Sequence, residues 1–265
     1  MPSERLVSLA AGTVLDVGPA EAVSVAATAG WPAVGIWFDA DSWGDATTAE
    51  VRLRLDDTGL IALDMEPVIL GPDGDPGERL IDAAAAIGAR HVLVASRLDD
   101  PTAVMHRFGE LCDRAAQHGL TVVLEFLPIF GVRTLAEAMA IVCAAARPNG
   151  GVLVDTLHLS RSGGSPDDLV EVERPLLPYL QLADAPSTAP SGFSPLVDEA
   201  LNGRLLLGDG GLPLREVLLA VPEVPLSFEL RSRALRDSYP DPVARAAAVL
   251  DNWRRFSSGC PPSPT

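Results

Sequence analysis

Short runs of hydrophobic residues alternate along the chain with longer stretches in which apolar positions recur every three or four residues. Leu6 to Leu9, Ala33 to Phe38 and Leu60 to Glu66 read as three strands. His91 to Ala95, a run from Thr121 to Glu125, a run ending at Asp155, Tyr179 to Ala183 and Pro225 to Leu230 read as five more. Most are apolar throughout, as expected of parallel strands covered on both faces. Helices are expected at roughly 20–29, 47–57, 78–87, 101–118 and 134–146, from Ser165 onward, and over 242–256. Pro101 and Thr134 suit first turns, and Gly30, Gly59, Gly88 and Gly119 suit last ones.

Eight strand-helix units in 265 residues give about 33 per unit, close to the roughly 30 of a βαβ element. The chain therefore reads as a single-domain (β/α)8 TIM barrel over residues 1–256, followed by a tail at 257–265 expected to be disordered. A doubly wound open sheet is the competing fold. It is disfavoured because no GxGxxG follows the first strand and the polar strand ends fall on four successive strands rather than at one crossover. Pro67 predicts that the third strand ends at Glu66. The longest connection, Ala185 to about Gly211, is rich in Pro, Ser and Gly and reads as a lid, a binding loop or a disordered segment.

Strands five to eight end in Glu125, Asp155, Gln181 and Glu229. In a barrel these four side chains converge on one region, and three crowded carboxylates either take up protons or share a cation. Oxygen donors without a thiolate favour a hard divalent ion, Mn²⁺ or Mg²⁺, over Zn²⁺. His158, three residues past Asp155, is expected to face the same pocket and to contact substrate or move a proton. Glu66 is a further substrate-binding candidate, and Arg97, Arg161 and Arg231 follow strands four, six and eight, where a guanidinium could hold a carboxylate or phosphate.

The formal charge of −16 and the lack of a basic run argue against nucleic acid and anionic membranes as partners. A small molecule or a cation suits that field better. Cys112, Cys143 and Cys260 are odd in number and form no CxxC, so a disulfide framework is not expected. With no signal-peptide pattern at the N-terminus and no apolar run of spanning length, a cytoplasmic location is expected.

Leu124-Glu125-Phe126, Val154-Asp155-Thr156-Leu157-His158, Gln181-Leu182-Ala183-Asp184 and Phe228-Glu229 together resemble the sugar phosphate isomerase/epimerase family with xylose-isomerase-like barrels. The resemblance implies metal ligands at Glu125, Asp155, Gln181 and Glu229, and frequent homodimers. It departs at Gln181, where many sugar epimerases carry His and some 3-dehydroshikimate dehydratases look more alike. Leu127-Pro128-Ile129-Phe130 also replaces the polar residues that often follow Glu125 in sugar epimerases. Gly203 to Gly211 resembles a Gly-rich stretch of the family, where close backbone approach to a ligand is possible.

The expected activity is a divalent-metal-dependent isomerase or epimerase acting on a keto-sugar or hydroxy-keto acid through an enediolate. Glu125, Glu229 or His158 would move the proton. A dehydratase on a dehydroshikimate-like or keto-inositol-like substrate is the alternative, and a non-catalytic ligand-binding barrel is the further one. A metal-dependent apurinic endonuclease would need more histidine ligands and a basic face.

Overall fold

The computed structural model describes residues 5–259. Eight parallel strands close into a barrel in chain order: β1 (Val7–Leu9), β2 (Ala33–Trp37), β3 (Ile61–Leu70), β4 (His91–Ser96), β5 (Thr121–Glu125), β6 (Gly150–Asp155), β7 (Leu180–Leu182) and β8 (Leu226–Phe228). Closure is made by β8 against β1, with Val7 opposite Leu226 and Leu9 opposite Phe228. The open-sheet alternative is thereby excluded.

The helices are α1 (Pro19–Ala29), α2 (Asp45–Thr58), α3 (Gly77–Ile87), α4 (Pro101–Ala116), α5 (Leu135–Ala145), α6 (Thr156–Arg161), α7 (Pro166–Val170), α8 (Phe193–Asn202), α9 (Leu214–Ala220), α10 (Arg233–Ser238) and α11 (Pro242–Ser258). Their ends follow local chemistry. Asp100 accepts a hydrogen bond from the Thr102 N–H ahead of α4, and Thr134 and Glu137 exchange hydrogen bonds in a capping box ahead of α5.

Because side chains alternate across a strand, Val123, Leu153 and Tyr179 share the barrel interior with Glu125, Asp155 and Gln181 two residues on. Below the polar layer, Ala33, Leu63, Leu93, Val123, Leu153 and Tyr179 pack into a buried cluster inside the barrel. The opposite strand faces, including Val122, Leu124 and Val154, join the larger core shared with the helices. Hydrocarbon thus makes up much of the lower interior, and the strand-end acids stand above it at the C-terminal end of the strands.

Three sequence expectations are corrected. The third strand does not stop at Glu66: it continues to Leu70, with the Glu66–Pro67 bond cis and the register against β4 shifted between Met65 and Val68. The bulge absorbs the proline without ending the strand. Of the readings for the connection 185–211, the disordered segment is removed, since that stretch contains α8, which lines the cavity. The closing helix extends past 256 to Ser258, and residues 260–265 of the expected tail lie outside the described residues.

Candidate active site

At the C-terminal end of the barrel lies a cavity of about 660 Å³. Glu66, Arg97, Glu125, His158, Glu229 and Arg231 all line it. Gln181 and Asp155 are buried beneath, at 1% and 0% exposure. Arg161 is not part of it: it makes a bidentate pair with Glu199, both contacts 2.7 Å, and donates to the Pro186 carbonyl, which ties α6 to α8. Its expected role as an oxyanion ligand is corrected on that ground.

Asp155 ends β6 and caps α6, accepting from the Leu157 N–H at 2.7 Å and the His158 N–H at 3.3 Å. That cap explains how His158, on a helix rather than in a loop, turns back over the barrel mouth. One oxygen each of Glu125 and Asp155 and one ring nitrogen of His158 lie within 4.8 Å of one another. His158 Nε2 stands 3.9 Å from Glu125 Oε1. The donor group that the geometry draws together therefore includes His158, which the sequence reading assigned to substrate contact or proton transfer.

Glu229 is held differently. The guanidinium of Arg204, 2% exposed, pairs with Glu229 Oε2 at 3.0 Å through Nη2 and with Asp155 through Nη1. Gly12 makes room for this carboxylate, since a Cβ there would sit 2.4 Å from Glu229 Oε1. Arg204 lies within the glycine-rich stretch, yet charge and position alone gave no signal that it turned inward. The glycines themselves serve another residue. Asp184 accepts hydrogen bonds from the backbone N–H groups of Gly208, Gly210 and Leu212 at 2.9–3.0 Å. The glycines wrap around Asp184, and it is Arg204 rather than a glycine backbone that this segment brings to the cavity.

A second buried acid, Asp64, went unmarked in the sequence. It accepts a 2.9 Å hydrogen bond from the Tyr179 hydroxyl, and the Tyr179 ring stacks on His91. Gln181 reaches Glu66 through its amide nitrogen at 3.4 Å, and among the described residues its own carbonyl oxygen Oε1 has no partner. Glu66 Oε1 and Asp64 Oδ1 are likewise unpartnered.

The electrostatics follow from this crowding. Burial, reinforced by neighbouring carboxylates, pushes Glu66 and Glu125 well above the ordinary glutamate range. Burial also raises Glu229, against the pull of Arg204. Asp64 is raised to about 7, chiefly by burial, with the Tyr179 hydrogen bond opposing. Asp155 alone goes the other way: burial would raise it, but Arg204, His158 and the helix N–H bonds outweigh burial and hold it low. His158 is lowered to about 4, first by burial and then by Arg204, so its ring is neutral at pH 7. More negative charge converges here than Arg204 and the nearby Arg231 neutralise, and unpartnered oxygens of Gln181 and Glu66 remain. Such a donor set fits a divalent cation.

The model of the xylose isomerase-like TIM barrel family matches residues 23–253. A 3-dehydroshikimate dehydratase of Pseudomonas aeruginosa is 26% identical over 86% of this chain and 38% of its own length. An inosose isomerase of Bacillus velezensis is 29% identical over 49% of this chain and 45% of its own length. The chain thus spans well under half the length of the first of these relatives, and the aligned part of the second is similarly limited. Among solved structures, the IOLI protein with a bound zinc atom superposes with a TM-score of 0.82 at 16% identity, covering 97% of this chain and 99% of that one. With a closed eight-stranded parallel barrel and a family model covering most of the sequence, the chain belongs to the xylose isomerase-like TIM barrel family.

Proposed function

We propose that the protein is a divalent-metal-dependent enzyme that removes a proton from the carbon next to a carbonyl in a small hydroxy-carbonyl compound. The observation that carries this reading is the convergence of Glu125, Asp155 and His158 to within 4.8 Å, with Glu229 clamped beside Asp155 by Arg204 and Gln181 buried beneath the same cavity. Glu125, Asp155 and Gln181, with His158 or Glu229 completing the set, would hold the cation. A divalent ion bound there supplies Lewis acidity toward a substrate carbonyl and its neighbouring hydroxyl.

The remaining work falls to side chains. Glu229 takes the proton: its raised pKa makes it a stronger base near neutrality, and Arg204 fixes the direction of its carboxylate. His158, neutral at pH 7 and lining the cavity, is placed to hydrogen-bond a substrate oxygen. Glu66, buried and lacking a contact cation, is suited to donate to the substrate in its protonated form. Apolar side chains line the cavity above them.

Proton removal leads either to loss of a β-hydroxyl or to return of the proton at a new position. We favour dehydration, because the relative aligned over 86% of this chain is named a dehydratase. Isomerisation is the second reading, supported by the inosose isomerase match. The test is proton NMR in D2O with Mn²⁺-supplied protein and either 3-dehydroshikimate or inosose. Deuterium entering beside the carbonyl, absent in Glu229→Gln, supports the reading, and loss of water identifies the dehydratase. Failure of both compounds and of simple keto-sugars to exchange would end it.

A further inference from the structure

We propose that the substrate is an amphipathic oxo acid: a carbonyl head on the carboxylate floor, a carboxylate held at the rim by Arg97 and Arg231, and an apolar or aromatic arm along the cavity wall. Only the placement of the head rests on the proton-transfer reading above.

The wall is hydrocarbon. Trp37, Ile69, Leu127, Ile129, Phe130 and Leu201 form much of it, and among the described residues no Ser, Thr, Asn or Gln side chain lines the cavity. A polyol seated here would lose water from hydroxyls that find no neutral partner on the wall, whereas an apolar arm gains by the same burial. The helix α8 adds to this surface. Phe193 and Leu201 line the cavity yet stand 66% and 39% exposed, so their apolar area is available to an occupant. A cavity of about 660 Å³ also holds more than a small sugar ring, lying within the range of about 300–1,000 Å³ that encloses drug-sized ligands.

The rim carries the cations. Among the described residues neither Arg97 nor Arg231 forms an ion pair, whereas Arg204 below them is committed to Asp155 and Glu229. Each is instead oriented by an aromatic ring that lines the same cavity: Arg97 over Phe130 at 5.3 Å and Arg231 over Trp37 at 5.9 Å. Stacking against a ring face leaves the edge N–H groups free to bind an oxyanion bidentately. The floor beneath is acidic, and its repulsion grows with ligand charge. A singly charged carboxylate is therefore favoured over a doubly charged phosphate.

Calorimetric titration of the intact, Mn²⁺-supplied protein with phenylpyruvate, pyruvate and D-fructose tests this, read beside deuterium exchange of each compound in D2O. Phenylpyruvate is expected to bind at least tenfold tighter than pyruvate and D-fructose. Arg97→Gln is expected to weaken phenylpyruvate and pyruvate alike, by about tenfold. Leu201→Asn is expected to weaken phenylpyruvate and leave pyruvate unchanged. Equal or tighter binding of D-fructose, loss of the phenylpyruvate preference, or an Arg97→Gln protein that binds as the parent does would overturn the proposal. Both positions are solvent-exposed, so the variants test contacts rather than folding. Preferential binding without exchange in any compound would remove the proton-transfer reading and leave the substrate class standing. Exchange confined to D-fructose would do the reverse.

Discussion

On the floor of the cavity, Glu66, Glu125 and Glu229 are held together with Arg204 in a buried, charged layer, whereas the wall a few side chains above runs through hydrocarbon from Trp37 to Leu201. The floor opposes folding: burial and mutual repulsion raise three of its carboxyls, and several of its polar atoms have no partner. The wall asks little of the fold, because half-exposed apolar residues are tolerated almost anywhere on a protein surface. What differs between them is what each can be retained for. A strained, charged floor serves chemistry, and a permissive wall serves selection of the ligand.

The sharpest way to break this division is at the base. Glu229→Gln should lower the rate of exchange or turnover by about 10²- to 10⁴-fold, measured with whichever carbonyl compound the parent exchanges. Binding along the wall should change much less.

Next in size is the stability of the floor. Arg204→Met leaves Asp155 and Glu229 buried without their shared cation, and loss of one partner from a buried pair costs about 3–5 kcal/mol. Urea denaturation of the metal-free protein measures it. Added Mn²⁺ should restore part of the loss, since a cation bound to the folded state alone stabilises it.

A third variant separates charge from shape. Asp64 is raised from 3.8 to about 7, first by burial. The folded state therefore binds more protons than the unfolded state between those values, and stability falls as pH rises through that window. Asp64→Asn keeps an acceptor for the Tyr179 hydroxyl and removes the titration. At pH 8 it should stabilise the metal-free protein by up to about 4 kcal/mol, and the gain should disappear below about pH 4. Denaturation midpoints across pH read it directly.

The smallest effect belongs to the wall. Leu201→Asn should shift stability by no more than about 0.5 kcal/mol, with its consequence seen in ligand binding alone.

The parts of the molecule that were legible in the sequence share one property: they are local. Strand-ending acids at Glu125, Asp155, Gln181 and Glu229 follow from a short apolar run and its last residue, and the barrel follows from the rhythm of those runs. Arg204 is different. Its role depends on a loop returning across the barrel end, fixed by Asp184 through three backbone N–H groups, and neither partner announces the other. Asp64 and Tyr179 are 115 residues apart and meet only because β3 and β7 face one another inside the closed barrel. Pro67 misled for the opposite reason, since the local rule for proline was overridden by a register shift in β3. Arg161 read as a ligand contact because the helix that supplies its partner, Glu199, lay in a stretch whose composition resembled a loop.

Metal content tests the account of the floor most directly. Protein purified without chelator, in parent and Glu125→Gln forms, would be analysed for bound metals and then titrated with Mn²⁺ while melting is followed. The account predicts close to one equivalent of divalent metal in the parent, its loss in Glu125→Gln, and a rise in melting temperature with Mn²⁺ for the parent alone. A parent that holds no metal and melts identically with and without Mn²⁺ would contradict it.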